Sequence, residues 1–159
     1  MSALSADMQR LVSQQKLGFV ATVGPDGMPN LSPKGTVDVW DDDHLWFADI
    51  CSPQTTANIS HGSWVAVNVV DPFVRKGYRF RGPATVHGPG TPEYADGTAR
   101  MRAAGSALVD RVGGVVVIEV REAAPVTSPA YDDGTLTEAD IRAIHTARFA
   151  RLAEEASGG

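Results

Sequence analysis

Apolar and polar positions alternate along most of the chain, and this pattern predicts strands joined by short turns. Residues 17–23 (LGFVATV) alternate, with Phe19 and Ala21 assigned to the core face. Residues 24–27 (GPDG) close that strand as a turn, because proline presets φ and glycine accepts positive φ. Residues 30–40 (NLSPKGTVDVW) read as a second strand, with Leu31, Val37 and Val39 on one face and Asn30, Ser32, Lys34 and Thr36 on the other. Pro33 cannot donate to a ladder and Gly35 weakens a strand interior, so an interruption there is expected, freeing the backbone to meet a ligand. Further strands are expected at 45–49, 63–70, 77–88 and 114–120, the last apolar on both faces and therefore central. Helix punctuation marks 5–15 (Ser5 N-cap), 52–62 (Ser52 N-cap, Pro53 at N1), 92–104 and 137–156. The last pairs Thr137 with Asp140 as a capping box and carries a stripe of Ile141, Ile144, Arg148 and Leu152. The expected fold is mainly β: one domain over residues 1–159, a six-stranded antiparallel barrel with peripheral helices. Its core is assigned to Phe19, Ala21, Val65, Val67, Val116, Ile118 and Val120.

Composition changes this picture only by exclusion. A chain of 159 residues, 43% hydrophobic and 21% charged, can close one full core. Its net charge of −5 argues against nucleic acid as a partner. No apolar run reaches the length of a membrane span, and the first residues lack the apolar centre of a signal peptide. The single Cys51 excludes an intramolecular disulfide, and a cytoplasmic location is expected. His44, His61, His87 and His145 show no ligand spacing with each other or with Cys51, so no metal is expected. No G-x-S-x-G, H-E-x-x-H or P-loop pattern occurs.

Two features carry candidate chemistry. The start of the 52–62 helix offers the backbone N–H groups of Gln54 and Thr55, the helix dipole, and the hydroxyls of Ser52, Thr55 and Thr56 as an anion site. The segment 71–82 (DPFVRKGYRFRG) sets Arg75, Lys76, Arg79 and Arg81 against one acid, Asp71. Arg79 and Arg81, at i and i+2, share a strand face. Turned toward Lys34 and the helix start, they would converge with them on one phosphate.

The segments LGFVATVGPDGMPNLSPKGT, ADICSPQTTANI and DPFVRKGYRFRGPATV, in this order and spacing, resemble the pyridoxamine 5′-phosphate oxidase-like family of FMN-binding split β-barrels over about residues 10–121. VTSPAYDDG resembles the closing segment of one subgroup. The resemblance implies a homodimer with FMN at its interface and the flavin ring along Ser32, Pro33, Lys34, Gly35 and Thr36. It implies a phosphate held by that strand, by the stretch containing Ser52, Gln54, Thr55 and Thr56, and by Arg79 and Arg81. Gln54 stands where many members have lysine or arginine. The Arg- and His-containing C-terminal segment by which the vitamin oxidase grips its substrate is replaced here by the 137–156 helix, so that activity is not assigned. Some relatives bind deazaflavin, the alternative cofactor; others bind haem, for which no ligand is evident.

The leading reading is therefore a flavin-dependent oxidoreductase acting on a small molecule, with Tyr131 or Ser128 lining the substrate side. The alternative is a non-enzymatic FMN-binding electron carrier, store or sensor. A deep cavity beside the ring favours the enzyme, and a covered ring favours the carrier. A barrel module for single-stranded nucleic acid, which also uses aromatics and arginines on strands, is disfavoured by the charge.

Overall fold

The computed structural model describes residues 3–158. In chain order the elements are α1 (Ala6–Gln15), β1 (Gly18–Val23), β2 (Pro29–Lys34), β3 (Asp38–Val39), β4 (His44–Asp49), α2 (Pro53–Ser60), β5 (Val65–Asp71), β6 (Lys76–Gly82), β7 (Ala84–His87), α3 (Pro92–Ala103), β8 (Gly114–Glu119), β9 (Glu122–Thr127) and α4 (Glu138–Ser157). Two antiparallel sheets result, one ordered β2-β1-β5-β6-β9 and the other β3-β4-β8-β7. These nine strands replace the six-stranded barrel expected from the sequence.

The difference has one cause. Segments expected to be single strands, or to end as one, each leave one sheet and enter the other. The chain crosses at 35–37 between β2 and β3, at Pro83 between β6 and β7, and at 120–121 between β8 and β9. Pro83 has no N–H to lose, and its carbonyl accepts from Glu119 N at 3.0 Å. Arg121 N donates to Arg81 O at 2.9 Å, so two crossings are stitched to each other. A Cβ at Gly82 would overlap the Glu119 carbonyl oxygen, which explains a glycine at that point. The β1–β2 turn is as the sequence predicts, with Gly27 at φ 79° and its N–H donating to Gly24 O at 2.9 Å.

The core lies between the sheets. Val20, Val65, Val67 and Phe80 enter from the larger sheet, and Leu45, Phe47, Val116 and Ile118 from the smaller; α1 adds Leu11 and Val12. Val65, Val67, Val116, Ile118 and Val120 are buried as expected. Phe19 and Ala21 are not core residues: β1 turns Gly18, Val20 and Thr22 inward and leaves Phe19 47% exposed. A one-residue change of parity moves the whole set across the sheet. Two neighbours fix the parity. Gly18 sits where a Cβ would come within 2.9 Å of Val37 Cγ2, so only glycine fits the crossing there. Thr22 is buried because its hydroxyl oxygen accepts from Asn30 Nδ2 (3.1 Å) and Asn58 Nδ2 (3.0 Å). Asn30 also donates to Thr55 Oγ1 at 3.0 Å, and Gln54 Nε2 to Asn58 Oδ1 at 2.7 Å. This polar network locks the start of α2 onto β1 and β2.

A second apolar cluster of Trp46, Ala48, Met101, Val112 and Val115 seats α3 on the smaller sheet. Gly97, which looked like a weak point in that helix, is where α3 meets the sheet: a Cβ there would stand 2.6 Å from Val115 Cγ2. Helix α4 has the expected capping box, but its expected apolar stripe is not buried. Only Ile141 is enclosed, whereas Ile144 is 54% and Leu152 44% exposed. The helix is held instead by an edge contact of Phe149 with Phe73 (5.1 Å between ring centroids) and by Lys76–Glu138 (3.1 Å) and Arg142–Asp71 (3.7 Å) pairs. Among the described residues, no helix is long and apolar enough to cross a membrane.

Ile118 is fully buried and pairs with Leu45 and Ala84. Ile118→Ala should therefore destabilise the fold by about 2–5 kcal/mol in urea unfolding, and a change below about 0.5 kcal/mol would deny β8 its central place. Thr22→Val preserves shape but removes the acceptor of two enclosed amides. The expected loss is about 1–3 kcal/mol, seen as a lower denaturation midpoint at unchanged slope.

Candidate functional site

The crossing at residues 35–37 opens a hollow. β2 is an edge strand of its sheet, so Pro33, opposite Phe19, sits in the ladder without depriving a further neighbour of a donor. Past Lys34 the chain turns at Gly35 and Thr36, and Thr36 Oγ1 accepts from Ala48 N at 3.0 Å, fastening the turn to the second sheet. Ser32, Pro33, Lys34, Gly35 and Thr36 line one side of a cavity of about 550 Å³, with Ala48, Ile50, Cys51, Ser106 and Leu108 opposite. Nothing lies within 4 Å of the position a Cβ on Gly35 would occupy, so the main chain is open to close approach there.

Lys34 is the cation of this cavity and is only 8% exposed. Its Nζ donates to Ser32 Oγ at 2.7 Å and lies 5.5 Å from the centroid of the Phe47 ring. No carboxylate comes within ion-pair distance of it among the described residues. Burial pushes the ammonium below the usual lysine range, while Asp49 and Cys51 pull it back up. An ammonium has three N–H donors, and here one has a partner, so the geometry favours an incoming acceptor.

The helix start beside it is more committed than the sequence implied. Ser52 N donates to Asp49 Oδ1 at 3.0 Å, and Ser52 Oγ donates to the same oxygen. An acid of the chain thus already meets part of the helix dipole. Thr55 is buried in the Thr22–Asn30–Asn58 network, and Thr56 Oγ1 donates back to Pro53 O at 3.2 Å. The Gln54 side chain is spent on Asn58. The backbone N–H groups of Gln54 and Thr55 keep no partner among the described residues. Asp49 gave no signal in the sequence, because its role depends on the bend at 50–52 that returns Ser52 to it.

Arg79 and Arg81 do not join this group within one chain. They share a face as expected, but β5 and β1 lie between β6 and β2. The cross-strand row Arg79–Asn68–Phe19–Pro33 lies on the outer face of the sheet, whereas Lys34, opposite Gly18, points inward. Arg79 Nε donates to Asn68 Oδ1 at 3.3 Å, and Arg81 pairs with Glu122 at 3.4 Å. Within one chain these arginines therefore do not meet Lys34 at one point. Ser128 and Tyr131 line neither this cavity nor its neighbour; Tyr131 Oη donates to Val74 O at 2.6 Å.

A second hollow of about 310 Å³ shares Gly35, Thr36 and Ser106 with the first. Trp46 and Met101 give it an apolar floor, and Lys16 and Arg100 stand at its rim. Arg100 is stacked over Trp40 at 4.4 Å and paired with Asp96 at 3.0 Å. These residues come from α3, β4 and the end of α1, and no local motif ties them together. The first hollow offers one buried ammonium and an open glycine, a donor set that fits an anionic group.

Comparison with known proteins places the fold. HupZ of Group A Streptococcus is similar at 27% identity over 79% of this chain and 95% of its own, with a TM-score of 0.69. A candidate pyridoxamine 5′-phosphate oxidase from Lactobacillus delbrueckii is similar at 27% identity over 78% of this chain and 95% of its own, with a TM-score of 0.62. An FMN-binding protein from Syntrophomonas wolfei shares the fold at 16% identity over 76% of this chain and 84% of its own, with a TM-score of 0.59. No curated protein matches the chain. The family model described as pyridoxamine 5′-phosphate oxidase matches residues 4–145, and the chain belongs to that family.

Proposed function

We propose that this protein binds FMN and acts as a flavin-dependent oxidoreductase on a small molecule, as a homodimer. The observation that carries the reading is the meeting of two hollows at Gly35, Thr36 and Ser106. One offers the Lys34 charge and the open main chain at Gly35 for an anionic cofactor. The other offers an apolar chamber beside it, which an electron carrier with a covered ring has no use for. Bound FMN supplies hydride transfer. Lys34 and the amides of Gln54 and Thr55 would hold its phosphate, and Gly35 would admit it close to the main chain. Trp46 and Met101 would exclude water from the substrate side. The FMN-binding protein of Syntrophomonas wolfei supports FMN as the first cofactor to test.

The outer face of β1 and β2 supports the homodimer. Leu17 and Phe19 are each 47% exposed and Leu31 65%, and all three line one apolar groove. Contiguous apolar surface of this kind is characteristic of an interface, and a two-fold axis lets one patch cover its own copy.

Lys34→Ala should weaken FMN binding about tenfold or more, as expected for a charge-assisted hydrogen bond, and riboflavin binding less. Isothermal titration of both ligands decides this: equal losses, or none, would remove Lys34 from the phosphate. Parallel titrations with a deazaflavin and with haemin test the cofactor itself, and tighter binding of either would displace FMN from the proposal. Leu31→Asp places a charge on the apolar face and should convert the dimer to monomer in sedimentation velocity. A wild-type monomer at micromolar concentration would refute the homodimer.

A further inference from the structure

The hollow floored by Trp46 and Met101 has charged residues at its edge, and each of them already has a partner. Lys16 Nζ pairs with Asp38 Oδ2 at 3.0 Å. The other oxygen of Asp38 accepts from Ser13 Oγ at 2.7 Å and from Val39 N at 2.8 Å. Burial pushes the Asp38 carboxyl up, but Ser13, Lys16 and the Val39 amide together hold it below its ordinary value, so the pair stays ionised. Arg100 donates through Nε to Asp96 at 3.0 Å and through Nη1 to the carbonyls of Val39 and Trp40 at 3.3 Å each, with its plane stacked over the Trp40 ring. A charged molecule entering here would leave water and find no opposite charge free to meet it, which is costly for either sign.

The uncharged donors are not matched in this way. Trp46 is only 4% exposed, and its indole N–H makes no hydrogen bond among the described residues. It is not sealed in the core either, because among the described residues His145 Nδ1 is the one enclosed side-chain nitrogen or oxygen without a partner. The indole N–H therefore keeps open surface, and the hollow is the cavity that Trp46 lines. A buried indole normally donates to an oxygen, and phenylalanine would complete an apolar floor with no donor to satisfy. Ser106, where the two hollows join, has the same surplus. Its Oγ accepts from Leu108 N at 3.2 Å, and its O–H has no acceptor among the described residues. Thr36, by contrast, is spent on Ala48, accepting from its N–H at 3.0 Å and donating to its carbonyl at 3.4 Å.

We propose that this hollow binds an uncharged molecule that presents a carbonyl oxygen (a ketone, amide or ester) on a flat apolar body. A carbonyl accepts through two lone pairs and has no charge to desolvate, so it matches the waiting N–H of Trp46 and O–H of Ser106. The volume of about 310 Å³ gives room for a bicyclic aromatic body against Trp46 and Met101. The inference names the substrate class of the reaction proposed above and rests on that reading for the chemistry, whereas the binding site itself stands on Trp46, Ser106 and the matched charges.

Equilibrium dialysis of the intact protein against naphthalenes of one shape tests this. The probes are 2-acetylnaphthalene, neutral with the acceptor; 2-ethylnaphthalene, neutral without it; and 2-naphthoate, which is charged. The ketone should bind about tenfold or more tightly than either of the others. Ser106→Ala should weaken the ketone about fivefold and leave 2-ethylnaphthalene within about twofold. Trp46→Phe should act in the same way, and if that variant does not fold, Ser106→Ala decides alone. Saturating FMN should leave ketone binding unchanged, because the two hollows adjoin without coinciding. A ketone bound no more tightly than the hydrocarbon, preference for 2-naphthoate, or unchanged ketone binding in Ser106→Ala would each overturn the proposal. Displacement of the ketone by FMN would move it to the first hollow and overturn it equally. If the ketone binds as expected while FMN does not bind at all, the flavin reading fails and this site remains.

Discussion

The structure depends on one constraint: three stretches of backbone must pass from one sheet to the other without stranding their hydrogen-bonding groups. A buried amide or carbonyl with no partner costs about as much as a lost hydrogen bond, so a crossing survives only where the chain satisfies itself across the gap. Glu119 N meets Pro83 O, Val120 N meets Asp43 O, and Arg121 N meets Arg81 O, each at 2.9–3.0 Å. These bonds tie the second and third crossings into one seam. Among the described residues the first crossing, at 35–37, has no such seam. Thr36 is fastened to Ala48 through its side chain, and the main chain at Gly35 stays open. The candidate site lies where the fold leaves its backbone least enclosed, and this is a consequence of topology before it is one of chemistry.

The same constraint explains which parts of the fold were legible in the sequence. Turn chemistry at 24–27, the caps at Ser5 and Thr137, and the buried valines of β5 and β8 are local or strongly periodic, and they read correctly. Strand crossings are neither. A run that changes sheets keeps its alternation, so 77–88 looks continuous even though Pro83 divides it. The parity of β1 was misread for a related reason. Phe19 and Ala21 are the apolar pair by composition, but Thr22 goes inward because Asn30 and Asn58 wait for its hydroxyl. Those partners are eight and thirty-six residues away, and pattern alone cannot count them.

The cavity was legible as far as strand β2, and no further: the side chains of the expected helix start are spent on other partners. Residues 32–36 do line a cavity, but the expected interruption falls only at Gly35: Pro33 stays paired in the edge strand, which ends at Lys34. The arginines of β6 were joined to Lys34 by charge and by the family resemblance, and sheet order separates them within one chain. Trp46, Met101 and Ser106 carry no motif; they meet only once α3 is seated on Val115 through Gly97.

Lys34 shows how the fold and the site share one cause. A lysine at the end of an edge strand would ordinarily extend its ammonium into water. Here β2 ends against the second sheet, and the inward parity that Gly18 and Thr22 impose on β1 carries over to its partner strand, so Lys34 faces the gap between the sheets. Its charge is tolerated because the gap is not closed: a hydroxyl, an aromatic face and the more distant Asp49 and Cys51 temper it without neutralising it. Hydrophobic replacement would suit the packing better, by the general rule that buried charges are weak contributors to stability. A buried cation that stability does not require, set where the backbone is open, is the observation on which the proposed anion site rests.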